Sequence, residues 1–224
     1  MSDIILKHGG TIDKFEGDAV IAFFGAPMTM LDHAARCVLA ALEQQAALSE
    51  LRIKWAEEGY PPVHIRIGID SGPMVVGNMG TATRMNYTMM GDHVNLAARL
   101  EGVNKAFRTP ILISLDTYDL VRDDVAARFV DRVRVVGRRK PVDIYQPICS
   151  RSMIQPEDLE RFQTYEKAWN MMQRRCFIEA EKILTDLCHT HPDGPSEVLL
   201  ERVRGFMQHE PGSGWDGVFD LESK

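Results

Sequence analysis

GGTIDKFEGDAVIAFFGAP, residues 9–27, is the stretch whose reading decides the fold. Thr11, Ile12 and Phe15 suit one pleated strand, and Ala19 to Phe24 makes a second that is nearly all apolar. Gly17-Asp18 between them is a tight-turn dipeptide, so the stretch predicts a buried β-hairpin. Lys14 and Asp18 stand at its mouth, where a buried hairpin has least use for charge, and a second polar set follows near residue 90. Alone, Asp18 reads as a turn former; its company points to a site. Asp13 and Glu16 read as surface charges.

Outward from the hairpin the pattern alternates between strands and helices. Upstream, SDIILKH (2–8) reads as the last turns of a helix ended by Gly9-Gly10. Downstream, Asp32 to Glu58 carries Ala35, Val38, Leu39, Leu42, Ala46 and Ile53 at helical spacing, stopped by Gly59-Tyr60-Pro61-Pro62. Val63 to Ile69 alternates as a half-buried strand should, Met74 to Val76 is extended, and Gly77 and Gly80 around Asn78 suit a close turn. Tyr87 to Met90 is a short strand and Asp92 to Val103 a helix, with further strands at 111–114, 128–136 and 142–148. This order predicts an α+β sandwich with helices on one face. Beyond Arg151 the pattern becomes helical, at 159–173, 177–188 and 197–209. The division is therefore residues 1–150 and an all-α tail, 151–224.

Composition excludes several classes. A chain of 224 residues is long enough for a real core, and its net charge of −6 with no basic stripe argues against nucleic acid. No apolar run approaches the roughly 18 residues that span a bilayer, and no signal-peptide pattern opens the chain. Cys37, Cys149, Cys176 and Cys188 have no paired spacing, which predicts reduced thiols and a cytoplasmic setting. Cys188, His189 and His191 fall at a helix end with no fourth ligand nearby and read as structural rather than metal-binding.

The hairpin resembles one from the class III nucleotidyl cyclases, the adenylate and guanylate cyclases. The resemblance continues in order through RIGIDSGPMVVGNMG, YTMMGDHVNLAARLEG, TPILIS and VVGRRKPVDIYQP, to about Ser150. It implies a ferredoxin-like cyclase sandwich that acts as a head-to-tail homodimer with two symmetric sites. In that family a strand carrying the first metal-binding Asp precedes the hairpin; nothing here matches it, so the chain reads as lacking its first strand and crossover. The segment YEKAWNMMQRRCFIEAEKILTDLCHTHPD resembles a single tetratricopeptide-type helix pair, with Ala168 and Ala180 as its small packing residues. One such repeat cannot bury its own face, so the tail is expected to dock on residues 1–150 or on a protein partner.

The resemblance also implies a reaction. The ribose 3′-hydroxyl of ATP attacks the α-phosphorus, pyrophosphate leaves, and 3′,5′-cyclic AMP results, assisted by two Mg²⁺ or Mn²⁺ ions. Asp18 matches the second metal carboxylate. Asn95 and Arg99, four apart on one helix, match the pair that orients the ribose and stabilises the phosphorus in the transition state. Lys14 and Thr88 match the purine-reading pair. Lys14 has only donors and Thr88 can accept, which suits adenine's ring nitrogen and amino group. Arg138 stands where the family has a phosphate-binding Lys, keeping the charge but changing its geometry. Asp18 of one chain is expected to work with Lys14, Thr88, Asn95 and Arg99 of its twin. The competing expectation is a catalytically inactive cyclase-fold module that binds nucleotide or dimerises, because one metal carboxylate is absent.

Overall fold

The computed structural model describes residues 1–138 and 140–221. Helix α1 (Ser2–Lys7) stops at Gly9-Gly10, where the Gly10 N–H bonds the Ile5 carbonyl at 2.9 Å. Strands β1 (Thr11–Glu16) and β2 (Ala19–Phe23) pair antiparallel with Glu16 opposite Ala19, so Gly17-Asp18 is the two-residue turn expected. The hairpin is not buried, however. Phe15 is 63% and Val20 37% exposed, and only Phe23 at its base is enclosed, because among the described residues nothing packs over the tip.

Helix α2 (His33–Glu57) follows as predicted. Strand β3 (Ile67–Ile69) is shorter than its alternating pattern suggested. Upstream of it, Arg52 and Gln45 of α2 donate to the carbonyls of Val63 and Ile65, at 2.8 and 3.1 Å, taking acceptors that a neighbouring strand would use. Strands β4 (Val75–Thr81) and β5 (Arg84–Met90) form a second hairpin that turns at Ala82-Thr83, not around Asn78. Gly77 and Gly80 lie inside the ladder instead, opposite Thr88 and Met85.

The remaining elements are α3 (Asp92–Phe107), β6 (Ile111–Ser114), α4 (Leu115–Val121), β7 (Val125–Arg134) and β8 (Val142–Ser150). A 3₁₀ turn at Arg151–Met153 leads to α5 (Pro156–Gln173), α6 (Phe177–Thr190), α7 (Gly194–Gln208) and the short strand β9 (Phe219–Asp220). Helix α4 had no periodic signal of its own. It is started by a cap, the Ser114 hydroxyl accepting from the Thr117 N–H at 3.2 Å.

One mixed sheet, ordered β3-β6-β8-β7-β9, carries the core, while the two hairpins stand apart as separate two-stranded sheets. Strand β6 sets the layering. Its Ile111 and Ile113 pack with Val38 and Ala41 of α2 and Val121 of α4, while Leu112 turns to Leu96, Leu100 and Phe107 of α3. The sheet is thus covered on both faces, not on one. A strand buried on both sides needs a continuous apolar run, and ILI supplies it. Helix α3 lies close to the sheet because Gly68 offers no side chain: a Cβ there would sit 2.2 Å from the Ala97 carbonyl.

Helices α5, α6 and α7 share a core in which Ala168 and Ala180 are fully buried. The segment is not helical throughout, since β9 extends the sheet parallel to β7. It seats on residues 1–150 through polar groups as much as apolar ones. The Tyr165 hydroxyl donates to the Val130 carbonyl at 2.6 Å. Asp131, enclosed on β7, accepts from Trp169 Nε1 at 2.7 Å and from Arg202 at 2.6 Å. Arg128 forks onto Asp193 at 3.0 Å while also donating to Gln146. Arg108, at the end of α3, grips Glu197 and Glu201 of α7. Buried ions survive only when paired in this way.

Asp193 makes this seat pH-dependent. Burial pushes its carboxyl up, but the hydrogen bond and charge of Arg128 outweigh that and hold it below the ordinary carboxylate range. A carboxylate depressed by folding stabilises the native state above its unfolded pKa of about 3.9, and that contribution disappears as the pH drops through the lower folded value. Asp193→Asn keeps the α7 cap and removes the charge. It is expected to lower unfolding free energy by about 2 kcal/mol at pH 7. The gap to wild type, measured by denaturant titration, should close as the pH falls from about 5 to 3.

Candidate active site

Asp13 joins the two hairpins. The register of β1 against β2 slips between Ile12 and Lys14, leaving Asp13 as the extra residue of a bulge. Its side chain is 3% exposed rather than at the surface, and it accepts a hydrogen bond from the Thr88 hydroxyl on β5 at 2.8 Å. The Lys14 ammonium lies 3.6 Å from the same carboxylate oxygen. A carboxylate buried next to a donor and a cation is the arrangement burial demands. Asp13 was misread as a surface charge because a bulge reverses the facing that alternation assigns. Glu16, at 63% side-chain exposure, is the surface charge expected.

Lys14 and Thr88 are therefore brought together within one chain. Opposite Thr88 stands Gly77, and a Cβ there would meet nothing within 4 Å. The half-buried Thr88 oxygen thus borders open space.

Arg99 forms a second grouping. Its guanidinium lies against the loop after β7, 3.1 Å from where a Cβ on Gly137 would stand, so Arg99 and Arg138 share a neighbourhood. Asn95, one turn earlier on α3, is exposed. Among the described residues, the side chains of Asn95, Arg99, Arg138 and Asp18 make no hydrogen bond or ion pair. Arg128 and Arg202 differ, being spent on the half-buried Asp193 and the buried Asp131. Asp18, exposed on the hairpin turn, is not brought to Asn95 or Arg99.

A third grouping escaped sequence reasoning. Asp70, completely enclosed at the end of β3, accepts from His93 Nδ1 at 2.8 Å, from the Ser71 N–H at 3.0 Å and from the Ser114 hydroxyl. With Asp116 these side chains place ligand-type atoms within 4.8 Å of one another. Three donors already hold Asp70, so the cluster locks α3 to β6.

The donors for a hard divalent ion are fewer than the resemblance implied. Asp18 suits one Mg²⁺ whose shell is completed by phosphate and water oxygens. Glu16, exposed two residues before Asp18, lies 3.9 Å from Lys14, and Asp13 accepts from Thr88.

A profile of the adenylate and guanylate cyclase catalytic domain matches residues 2–147. The chain is 37% identical over 150 residues to Adenylate cyclase 1 of Rhizobium meliloti (strain 1021), covering 66% of this chain and 22% of that one. It is 31% identical over 203 residues to the terminal-differentiation-specific adenylate cyclase of Dictyostelium discoideum, covering 88% of this chain and 9% of that one. Among solved structures, the adenylyl cyclase CyaB from P. aeruginosa aligns with TM-score 0.63 and 42% identity, over 69% of this chain and 79% of that one. The guanylyl cyclase Cya2 aligns with TM-score 0.59 and 35% identity, over 69% and 77%. Fold and site together define a nucleotidyl cyclase catalytic domain of class III. The chain belongs to the adenylate and guanylate cyclase family, and spans well under a third of these two curated relatives. No helix among the described residues is long and apolar enough to cross a membrane.

Gly137 adopts a left-handed φ of +78° and leaves the room that Arg99 occupies. Gly137→Ala is expected to cost about 1 kcal/mol in denaturant melts and to displace Arg99, weakening nucleotide binding severalfold. Wild-type affinity in a folded Gly137→Ala protein would show the packing to be incidental.

Proposed function

We propose that the chain is an adenylate cyclase, forming 3′,5′-cyclic AMP and pyrophosphate from ATP, with residues 1–150 as the catalytic unit and 151–224 as its tetratricopeptide-like appendage. The observation that carries this reading is the convergence of Lys14 and Thr88, far apart in sequence, on one buried carboxylate. Lys14 offers donors to adenine's ring nitrogen, and Thr88 an oxygen to its amino group. Guanine reverses the polarity at both positions, and a donor or acceptor left unpaired once the base encloses it costs about 1–3 kcal/mol.

Asn95 orients the ribose and Arg99 meets the charge that gathers on the α-phosphorus. Arg138 binds the phosphates, its planar fork replacing a lysine's point charge. Asp18 would give a divalent ion such as Mg²⁺ one protein oxygen, and an ion held there would neutralise phosphate charge. The site is completed by a second copy in head-to-tail contact, Asp18 of one chain facing Lys14, Thr88, Asn95 and Arg99 of its twin. The exposed apolar faces of the two hairpins support such a contact: Phe15, Val75, Met85 and Met90 are each more than 60% exposed. The reaction places the protein in second-messenger signalling, in the cytoplasm.

The exposure of Asp18 on the hairpin turn, away from Asn95 and Arg99 of the same chain, favours one other reading, a catalytically inactive cyclase-fold module that binds nucleotide or dimerises. Both are tested by giving the purified chain ATP and Mn²⁺, measuring nucleotide affinity and cyclic AMP together. Product that falls by about 100- to 1,000-fold in Arg99→Ala supports the enzyme. Binding without product, or a dimer that binds no ATP, leaves the module, and a monomer that binds no ATP removes both readings.

Base choice has its own test. Lys14→Glu with Thr88→Cys should shift preference from ATP towards GTP by at least about tenfold in relative affinity. Unchanged selectivity would remove the assignment of these two residues to the base.

A further inference from the structure

We infer that Asp13 is a specificity-determining positioning residue: it holds the Thr88 hydroxyl hydrogen, so that Thr88 faces the base only as an acceptor. This rests on the reading that Lys14 and Thr88 contact the purine. A threonine hydroxyl alone is indifferent, since it donates or accepts as its partner requires. It would receive an amino group or bond a carbonyl oxygen equally well, and a Lys–Thr pair would discriminate only through Lys14.

The geometry removes that freedom. Asp13 Oδ2 lies 2.8 Å from the Thr88 hydroxyl oxygen, and a carboxylate has acceptors only, so the hydrogen must come from Thr88. What remains outward is lone pairs. Adenine's amino group then finds an acceptor, whereas guanine's carbonyl oxygen meets a second oxygen with no hydrogen between them. Asp13 is enclosed, at 3% exposure, so water does not compete for the bond. The same oxygen lies 3.6 Å from Lys14 Nζ, so one carboxylate sets both halves of the reading pair.

Two substitutions release the hydrogen by different means. Asp13→Asn can donate its amide to the Thr88 oxygen, and Asp13→Ala removes the acceptor. Either should lower the ATP-to-GTP affinity ratio by about tenfold, chiefly through better GTP binding. The measurement is competitive binding of Mg²⁺-ATP and Mg²⁺-GTP to the whole chain, using whichever variant melts with wild type. Thr88→Val is the reference, because it removes the hydroxyl. In the Thr88→Val background, Asp13→Asn should change the ratio no further, which a merely structural role for Asp13 would not produce. An unaltered ratio in a folded Asp13 variant, or effects that add in full to Thr88→Val, would overturn the inference while leaving Thr88's contact with the base intact. A Thr88→Val protein that discriminates like wild type would instead overturn the base reading itself, and this inference with it.

Discussion

A carboxylate enclosed between two hairpins governs the shape of this site. Two-stranded sheets are marginal by themselves, and here both stand outside the main sheet. Asp13 ties one to the other. Its burial would be costly without a partner, and the Thr88 hydroxyl together with the Lys14 ammonium removes most of that cost. The relation runs both ways. The enclosed carboxylate is partnered by these two groups, and the groups need it to stand side by side.

Charge elsewhere divides into groups with structural partners and groups without. Asp131 and Arg128 are enclosed where β7 meets the C-terminal helices, and each is saturated by residues far away in sequence. Losing either would leave a charge stranded, so they hold the tail in place and are not free for chemistry. Arg108 does similar work at the surface, where its fork onto Glu197 and Glu201 contributes less because water screens it. The result is that α3 is held at its end by α7 and along its length by the sheet, while the face carrying Asn95 and Arg99 stays open.

The legible parts of the chain were those set by local pattern. The hairpin at 11–23, the long helix at 33–57 and the strand at 111–114 follow from spacing, turn residues and apolar runs, and they lie where expected. What stayed hidden depends on the third dimension. Asp13 follows the strand's rhythm in sequence, yet a bulge turns it inward, and no periodicity announces a bulge. Asp70, Ser114 and His93 are distant in sequence and meet only because α3 lies on β3 and β6; a motif search has no spacing to find there. Helix α4 is too short to show a period, although Ser114 as its cap was a usable signal. The second layer of helices was missed for a simpler reason: ILI at 111–113 does not say which of its faces is covered, and both are.

Likeness to known cyclases cannot choose the base, since an adenylyl cyclase and a guanylyl cyclase both resemble the chain closely in fold. The difference must reside in a few hydrogens at the purine edge, and a sequence names the atoms without orienting their hydrogens. Thr88 illustrates the point. In sequence it is an ambivalent hydroxyl; beside Asp13 it is an acceptor with a fixed direction. On the proposed reading, selectivity belongs neither to the residue that touches the base nor to the backbone that carries it. It belongs to the buried charge behind, which decides the sense of the bond.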